Sequence, residues 1–519
     1  MPDFQPARYK MKYFPHLCRL VKYNQRILLD YIERIKAEPG LRSRCVLAYQ
    51  AATFATRHNT DIFASQEIEQ PFLELAELLP APEDTAWEEG SVLHVATEVY
   101  NSGGHSRCIE RWMQLMDKQK HSCYLIKQHA AVPEMLAQLV KESGGCIQQP
   151  APGLSMVRKA AALRAYASRF QYVVLHAHMN DPVALIAFGS EKFTRPVILF
   201  NHADHIFWLG AGIADYVADL AAYRHQEVTL RGRGITRAGV LNIPTENKPF
   251  ATMEQVQARQ QLGISPQARI VFASGHPRKF DPVGTPDFAD IICAILNREP
   301  GVQFFIAGAS PKQKLWKKLP PEFRKQVTFT GRLNYKTEYP VYLSAADLVL
   351  DSMPVSGGTA VSDAVKAHKP LLAIRGAFLS DFINNSEAGC KDMEELVTKA
   401  LRILTDADYR TRVYQDIYGK WSQEVDCEAW KARCKAAYNA LPEYHRIYPC
   451  TPAAPGEPIS DVSLLTCMWT QPHGGLFKQL RKWFYSRSKE TGTYTLCGIT
   501  LNNNRTENII FGNDAVGIH

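Results

Sequence analysis

From residue 91 to residue 374 the sequence alternates short, almost wholly apolar runs with longer stretches of helical periodicity. "SVLHVATEV" (91–99) is followed in turn by "CYLIK", "YVVLHAH", "PVILFNHAD", "RIVFASG", "VQFFIAG", "VTFTG", "LVLD" and "PLLAI". A short strand that is apolar throughout is buried on both faces, and helices between such strands build βαβ units around a parallel sheet. The series is interrupted once. "VLNIPTENKPFATMEQVQARQQLGISPQA" (240–268) carries prolines and a polar helix, and a fresh strand opens at "RIVFASG". Two doubly wound domains joined near residue 245 are the simplest architecture, an α/β fold whose ligands sit at the carboxyl ends of the strands. A chain of 519 residues with 46% apolar content can fill more than one core.

The flanks read differently. Residues 1–88 are expected to form an N-terminal helical module ("LCRLVKYNQRILLDYIERIKAE", then "IEQPFLELAELL"), closed by the linker-like "PAPEDTAWEEGS". The two Rossmann-like domains are expected at 91–244 and 245–440, and "PCTPAAPGEP" (449–458) separates them from a tail at 459–519. Within the tail, Leu476, Phe477, Leu480, Trp483 and Phe484 fall at helical spacing among Lys478, Arg481, Lys482 and Arg487. A basic helix with an aromatic face over 476–487 suits peripheral contact with an anionic membrane, or docking on its own protein.

Net charge is +8, which favours anionic partners such as nucleotides or phospholipid head groups. No block of lysines and arginines tracks a nucleic-acid backbone, so nucleic acid is not an expected partner. The twelve cysteines are scattered without a C-x-x-C pair, "MPDFQPARYKMKYFPHL" lacks the apolar core of a signal peptide, and no run is long enough to span a bilayer. A cytoplasmic protein is expected, working at the inner face of the cytoplasmic membrane if the tail helix docks there.

The stretch "DSMPVSGGTAVSD" (351–363) carries the most chemistry. An apolar strand ends, two glycines follow, and a helix begins. Gly357 and Gly358 let backbone approach a ligand, the helix start offers unpaired N–H groups and a positive dipole end, and Thr359 can cap the helix or donate to a phosphate. Asp363, one turn on, is suited to the hydroxyls of a ribose. Arg278 and Lys279 follow the strand "RIVFASG" as a basic pair on a polar loop. In the first domain "HVATEVYNSGGHSRCIERW" runs strand, glycine turn, helix, with Gly103, Gly104, His105 and Ser106 at the turn. "LFNHADHIFWLGAGIAD" (199–215) places His202, Asp204 and His205 after a strand, and a histidine there with a carboxylate beside it is a candidate general base. Phe207 and Trp208 either stack on a sugar or pack the domain. The H-x-H and H-x-x-H spacings also admit a metal, but loop histidines are more often hydrogen-bonded structure, and no metal is expected.

These residues resemble those of GT-B glycosyltransferases, whose two Rossmann-like domains hold a nucleotide-sugar mainly on the second. "LVLDSMPVSGGTAVSDAVKAHKPLL" is similar to the donor segment of O-GlcNAc-transferase-like and related bacterial families. The resemblance implies that Gly357, Gly358 and Thr359 face the phosphates, Asp363 the ribose, and a basic residue, Lys279 first and Arg278 second, the charge of the departing diphosphate, with Gly103, Gly104, His105, Asp204 and Trp208 on the acceptor side and His202, His205 and Lys279 in catalysis. It implies no cofactor, a UDP-sugar donor and an acceptor hydroxyl in lipopolysaccharide, capsule or a related glycan, lipid-linked or free. A protein glycosyltransferase, a nucleotide-sugar epimerase and an inactive scaffold stay open as alternatives. So does the choice between inversion and retention.

Overall fold

The structure, a computed structural model, describes residues 14–511 apart from 84–85, 101–103, 245–249, 251, 282–285, 377, 442–446, 449–458, 471–485, 488–492 and 497–498. The chain divides into two compact units, a first of His16–Pro244 with the residues from Trp430 onward, and a second running from Thr245 to Ala429.

The first unit is built on seven strands: β1 (Glu88–Ala96), β2 (Lys120–Leu125), β3 (Ile147–Gln148), β4 (Phe170–His176), β5 (Val197–Phe200), β6 (Tyr216–Asp219) and β7 (Ala238–Val240). Their order is β3-β2-β1-β4-β5-β6-β7, and every pairing is parallel. The chain therefore runs outward from β1 to β3, then returns and continues from β4 in the opposite direction. The gap between β1 and β4 is the point where that reversal opens a crevice at the carboxyl ends of the strands.

The second unit repeats the plan with β8 (Arg269–Ser274), β9 (Val302–Ala307), β10 (Val327–Gly331), β11 (Leu348–Leu350), β12 (Leu371–Ile374) and β13 (Gly389–Cys390) in the order β10-β9-β8-β11-β12-β13. Here the reversal lies between β8 and β11. Helices cover both faces of each sheet, which is why the strands are buried and read as largely apolar runs. The doubly wound, two-sheet α/β architecture expected from the sequence is the one observed.

The helices Phe14–Ala37, Leu41–Arg57 and Gln66–Glu77 do not form a core of their own. Leu28, Phe54, Phe72 and Leu75 share one apolar cluster with Leu93, Val173 and Leu199 of the first sheet. Polar ties reinforce it. The buried Glu69 carboxylate accepts the N–H groups of Gly210, Ala211 and Gly212 at 2.6, 3.0 and 2.9 Å. Buried Arg164 donates to the carbonyls of Ala76, Leu79, Pro80, Ile186 and Ala187, tying the chain on both sides of residue 88 together. A polar chain of mixed helical periodicity reads as separate when its partner surface lies far along the sequence.

The helix Asn503–Phe511 also joins this core through Ile510 and Phe511. Of the expected basic helix at 476–487, residues 476–485 lie outside the described residues. Ser486–Arg487 is a strand, paired antiparallel with Thr493–Leu496, so Arg487 does not extend a helix. Among the described residues no helix is long and apolar enough to cross a membrane, and the ten described cysteines are all free.

Candidate functional site

In the second unit the loops leaving β8 and β11 flank the reversal of strand order. After β8 the chain makes a tight 3₁₀ turn, Pro277–Phe280, anchored by Phe280, which is fully buried against Phe288 and Trp316. That anchor sends the preceding Lys279 toward the loop after β11, where its Nζ donates to the Ser356 carbonyl at 2.6 Å. The same ammonium lies 3.9 Å from where a Cβ on Gly358 would stand. Arg278 is exposed and touches none of these groups among the described residues. Its backbone N–H donates to His276 Nδ1 at 3.3 Å. The two cations expected as a pair are thus separated, and Lys279 is the one at the glycines.

Gly358 is the residue before the helix Thr359–Lys366, at φ +67°, a left-handed conformation that only glycine adopts without strain. No side chain caps this helix, so Thr359 is its first residue and not its cap. The unpaired N–H groups of the first turn stay available to an anion. The amide of Gly357 is not among them: it donates to Asp351 Oδ1 at 2.7 Å. Asp351 is buried, and its Oδ2 has no partner among the described residues. Burial raises its pKa against the opposing effect of Ser356, the Gly357 amide and the Lys279 charge. Burial also lowers the Lys279 pKa, with Asp351 opposing.

Asp363 lies on the second turn of the same helix. The Tyr335 hydroxyl donates to both its oxygens, at 3.1 and 3.2 Å. Tyr335 is 53% exposed, and its ring stacks on Tyr339 at 5.7 Å. Neither Tyr335 nor Asp351 was assigned a role from the sequence. Tyr335 carries no local signal, standing in a polar loop after β10. Asp351 ends an apolar run inside the quoted stretch, which was the available clue.

In the first unit Gly103 lies outside the described residues, and Gly104 opens the helix Gly104–Leu115. Ser106 accepts the N–H of Tyr100 at 2.7 Å and is buried. The His105 ring stacks on that of His202 with centroids 3.9 Å apart and meets His178 edge-on. His202 Nε2 lies 2.8 Å from His176 Nδ1. Behind His176, His94 and His121 continue the row at 3.2 and 3.1 Å.

The other expected residues are engaged elsewhere. Asp204 is buried, accepts from Arg224 Nε at 2.6 Å and meets His205 Nδ1 at 3.3 Å. Burial works against its charge, but the Arg224 guanidinium and His205 hold its carboxyl well below the usual carboxylate range. Asp204 is therefore an ion-pair anchor with both carboxylate oxygens engaged. Trp208 is 3% exposed with the Arg233 guanidinium 4.5 Å above its ring, so its face is not open to a sugar. Phe207 is buried too. Among the described residues no three His, Cys, Asp or Glu side chains are grouped as a metal site.

Burial depresses the pKa of the row's four rings and of His105 stacked on its outer end. His105 is lowered to about 4, as is His58 nearby in sequence to the first helices. His94, His176 and His202 lie well below the ordinary value, and His121 is lowered. The unfolded chain takes up protons near pH 6.5 that the folded unit refuses. Stability present above pH 6.5 is accordingly lost as pH falls toward the folded values, by up to about 1.4 kcal/mol per pH unit for each such ring. The thermal midpoint of the first unit's transition should fall steadily from pH 7 to pH 5. A midpoint that stays level over that range would show that these rings are charged in the folded state.

No protein-family model matches the sequence, and no curated protein matches it. Solved structures do share its fold. Anabaena HepE, in complex with UDP and glucose, superposes with a TM-score of 0.51 over 68% of this chain and 100% of that one, at 16% identity. A glycosyltransferase from Rickettsia africae superposes at 0.51 over 68% of this chain and 99% of its own, at 10% identity. The chain is similar to both in the GT-B arrangement of two parallel, doubly wound sheets.

Proposed function

We propose that the chain is a glycosyltransferase that takes a sugar from a nucleoside-diphosphate donor, a UDP-sugar, and passes it to an acceptor hydroxyl. The observation that carries this reading lies at the glycine turn of the second unit. A half-buried lysine and the uncapped start of an eight-residue helix converge on Gly358, beside the reversal of strand order where such sheets bind nucleotides. The similarity in fold to HepE, a protein seen with UDP and with UDP-glucose, supports UDP as the nucleotide.

In this reading Lys279 and the N–H groups after Gly358 hold the diphosphate. Asp363 accepts the ribose hydroxyls, which displaces the Tyr335 hydroxyl, and the exposed Tyr335 ring offers a face to the base. A leaving diphosphate needs charge stabilisation more than it needs a proton, and a fixed ammonium provides it without reorganisation. The acceptor proton falls to His202, the one ring of the row that is not sealed in the sheet. The acceptor class follows the sequence resemblance to enzymes of bacterial surface glycans, with the hydroxyl on lipopolysaccharide, capsule or a related polymer.

Thermal unfolding with a panel of nucleotides and nucleotide-sugars tests the donor half. At a hundred times its dissociation constant a ligand stabilises the fold by about 2.7 kcal/mol. A UDP compound should do so for the unmodified chain. Asp363→Ala and Tyr335→Ala should each weaken its binding roughly tenfold, the loss of one charge-assisted hydrogen bond or one stacked ring. A panel in which nothing binds would leave an inactive scaffold as the better reading.

A further inference from the structure

The row of four histidines has a direction. In register, His121 of β2 lies level with Val92 of β1, and His176 of β4 lies level with Ala96. Positions 92, 94 and 96 of β1 share one face of the pleat, so His121, His94 and His176 stand on that face. Each is two residues further toward the carboxyl end than the last. Leu175 pairs with Leu199, so His202, two residues beyond the end of β5, continues the same diagonal. Diagonal neighbours across a parallel sheet are within reach of ring side chains. The four rings are joined nitrogen to nitrogen at 3.1, 3.2 and 2.8 Å.

The inner end of the row closes on the Met116 carbonyl, 2.9 Å from His121 Nε2. A carbonyl only accepts, so His121 Nε2 carries the hydrogen, and the Nδ1 of the neutral ring is a bare lone pair. His94 Nε2 must then donate to it, which leaves His94 Nδ1 bare. The same step repeats through His176 to His202. One backbone carbonyl thereby sets the tautomer of four side chains, and His202 ends the row with Nδ1 unprotonated and without a partner among the described residues. That ring also lines a small cavity of about 30 Å³ with His178, Asp181 and Asn201.

We propose that His202, His176, His94 and His121 form a proton relay that holds His202 in the form of a base and carries the proton it accepts inward to His121. The O–H bond of the acceptor breaks and an N–H forms at His202 Nδ1. The Nε2 hydrogen of His202 then passes to His176 Nδ1, that of His176 to His94 Nδ1, and that of His94 to His121 Nδ1. The charge ends on His121, doubly protonated, and the other three rings end in the opposite tautomer. Reversal of the same transfers resets the row. His202 is the catalytic residue in this scheme, and the other three are positioning residues that act through it.

The surroundings match that direction of travel. Asp117 is the charge that favours a proton on His121, and the Met116 carbonyl favours it too. At the outer end the groups near His202 are His105, which disfavours charge there, and His178 behind it. Trp112 presses its edge to His94 and His176 and excludes water from the middle of the row. Asp204 and Arg224 neutralise each other and leave the relay's charge balance to its own rings.

The use of the relay in transfer rests on the reading of His202 as the acceptor's base, but its existence is tested without substrate. The probe is the ¹⁵N spectrum of the full chain labelled at histidine, followed from pH 8 down to the lowest pH at which the chain stays folded. Four rings should show Nε2 protonated and Nδ1 bare at pH 8, and His202 and His121 should shift together as one shared proton is taken up. In His94→Gln the amide can accept from His176 and donate to His121, so the tautomers persist. A proton cannot cross it, so His202 and His121 should titrate separately, with His202 at the lower pH. His94→Leu should release the tautomers of His176 and His202 as well. A His202 protonated at Nδ1 in the unmodified chain, or His202 and His121 titrating independently there, overturns the proposal even if neither variant folds.

Discussion

Lys279→Met should lower turnover of the sugar donor by about 10²- to 10³-fold, the size of effect seen when one preorganised group facing a developing charge is removed. The leaving diphosphate gains negative charge as the glycosidic bond breaks, and the nearby cation is an ammonium set between the Ser356 carbonyl and the glycine turn. Methionine keeps the volume and loses the charge. Stability should change little, because burial already raises the pKa of Asp351. Without Lys279 that carboxyl becomes neutral instead of remaining as an unpaired buried charge. Release of nucleoside diphosphate from the donor that stabilises the chain is the measurement, with the unliganded thermal midpoint as the control for folding. Turnover unchanged in a folded variant would move the role elsewhere, and Arg278 would be next to test.

His202→Ala should reduce turnover by about 10²- to 10⁴-fold, the range for loss of a positioned general base. Donor binding should be untouched, since the groups assigned to it all belong to the other unit. The thermal shift produced by UDP is the control, and it separates a lost base from a lost fold. His205→Ala should be far milder in catalysis, because that ring is engaged with the Asp204 carboxylate. If the two substitutions exchange these outcomes, His205 is the base and the row of histidines serves stability alone.

The glycine turn at 357–358 was legible because its signal is local. Strand end, paired glycines and helix start lie within a dozen residues, and each has a backbone reason to be there. What the sequence could not settle was which groups remain free. Gly357 looks like Gly358 in the string "SGGT", yet its amide is taken by Asp351 while Gly358 carries the left-handed φ. Arg278 and Lys279 are neighbours of equal charge, separated only by the anchor that buried Phe280 gives to the turn.

In the first unit the local reading was weaker. Trp208 and Asp204 occupy a suggestive place after a strand, but Arg233 and Arg224, twenty or more residues on, cover one and neutralise the other. His94 and His121 drew no attention because a single histidine in an apolar strand is most often a satisfied core residue. The usable clue was that three strands of one sheet each hold a histidine on the same face.

By itself, then, the sequence determined the two parallel sheets and the strand–glycine–helix turn at 351–363. Apolar runs and glycine turns express constraints that act within a few residues of chain. Only the tertiary structure decided that the N-terminal helices belong to the first core, that Tyr335 stands beside Asp363, and that His121, His94, His176 and His202 form one row. Those facts depend on strand order and register, which bring together residues as far apart as 94 and 176, and no property of either residue's neighbours along the chain encodes that meeting.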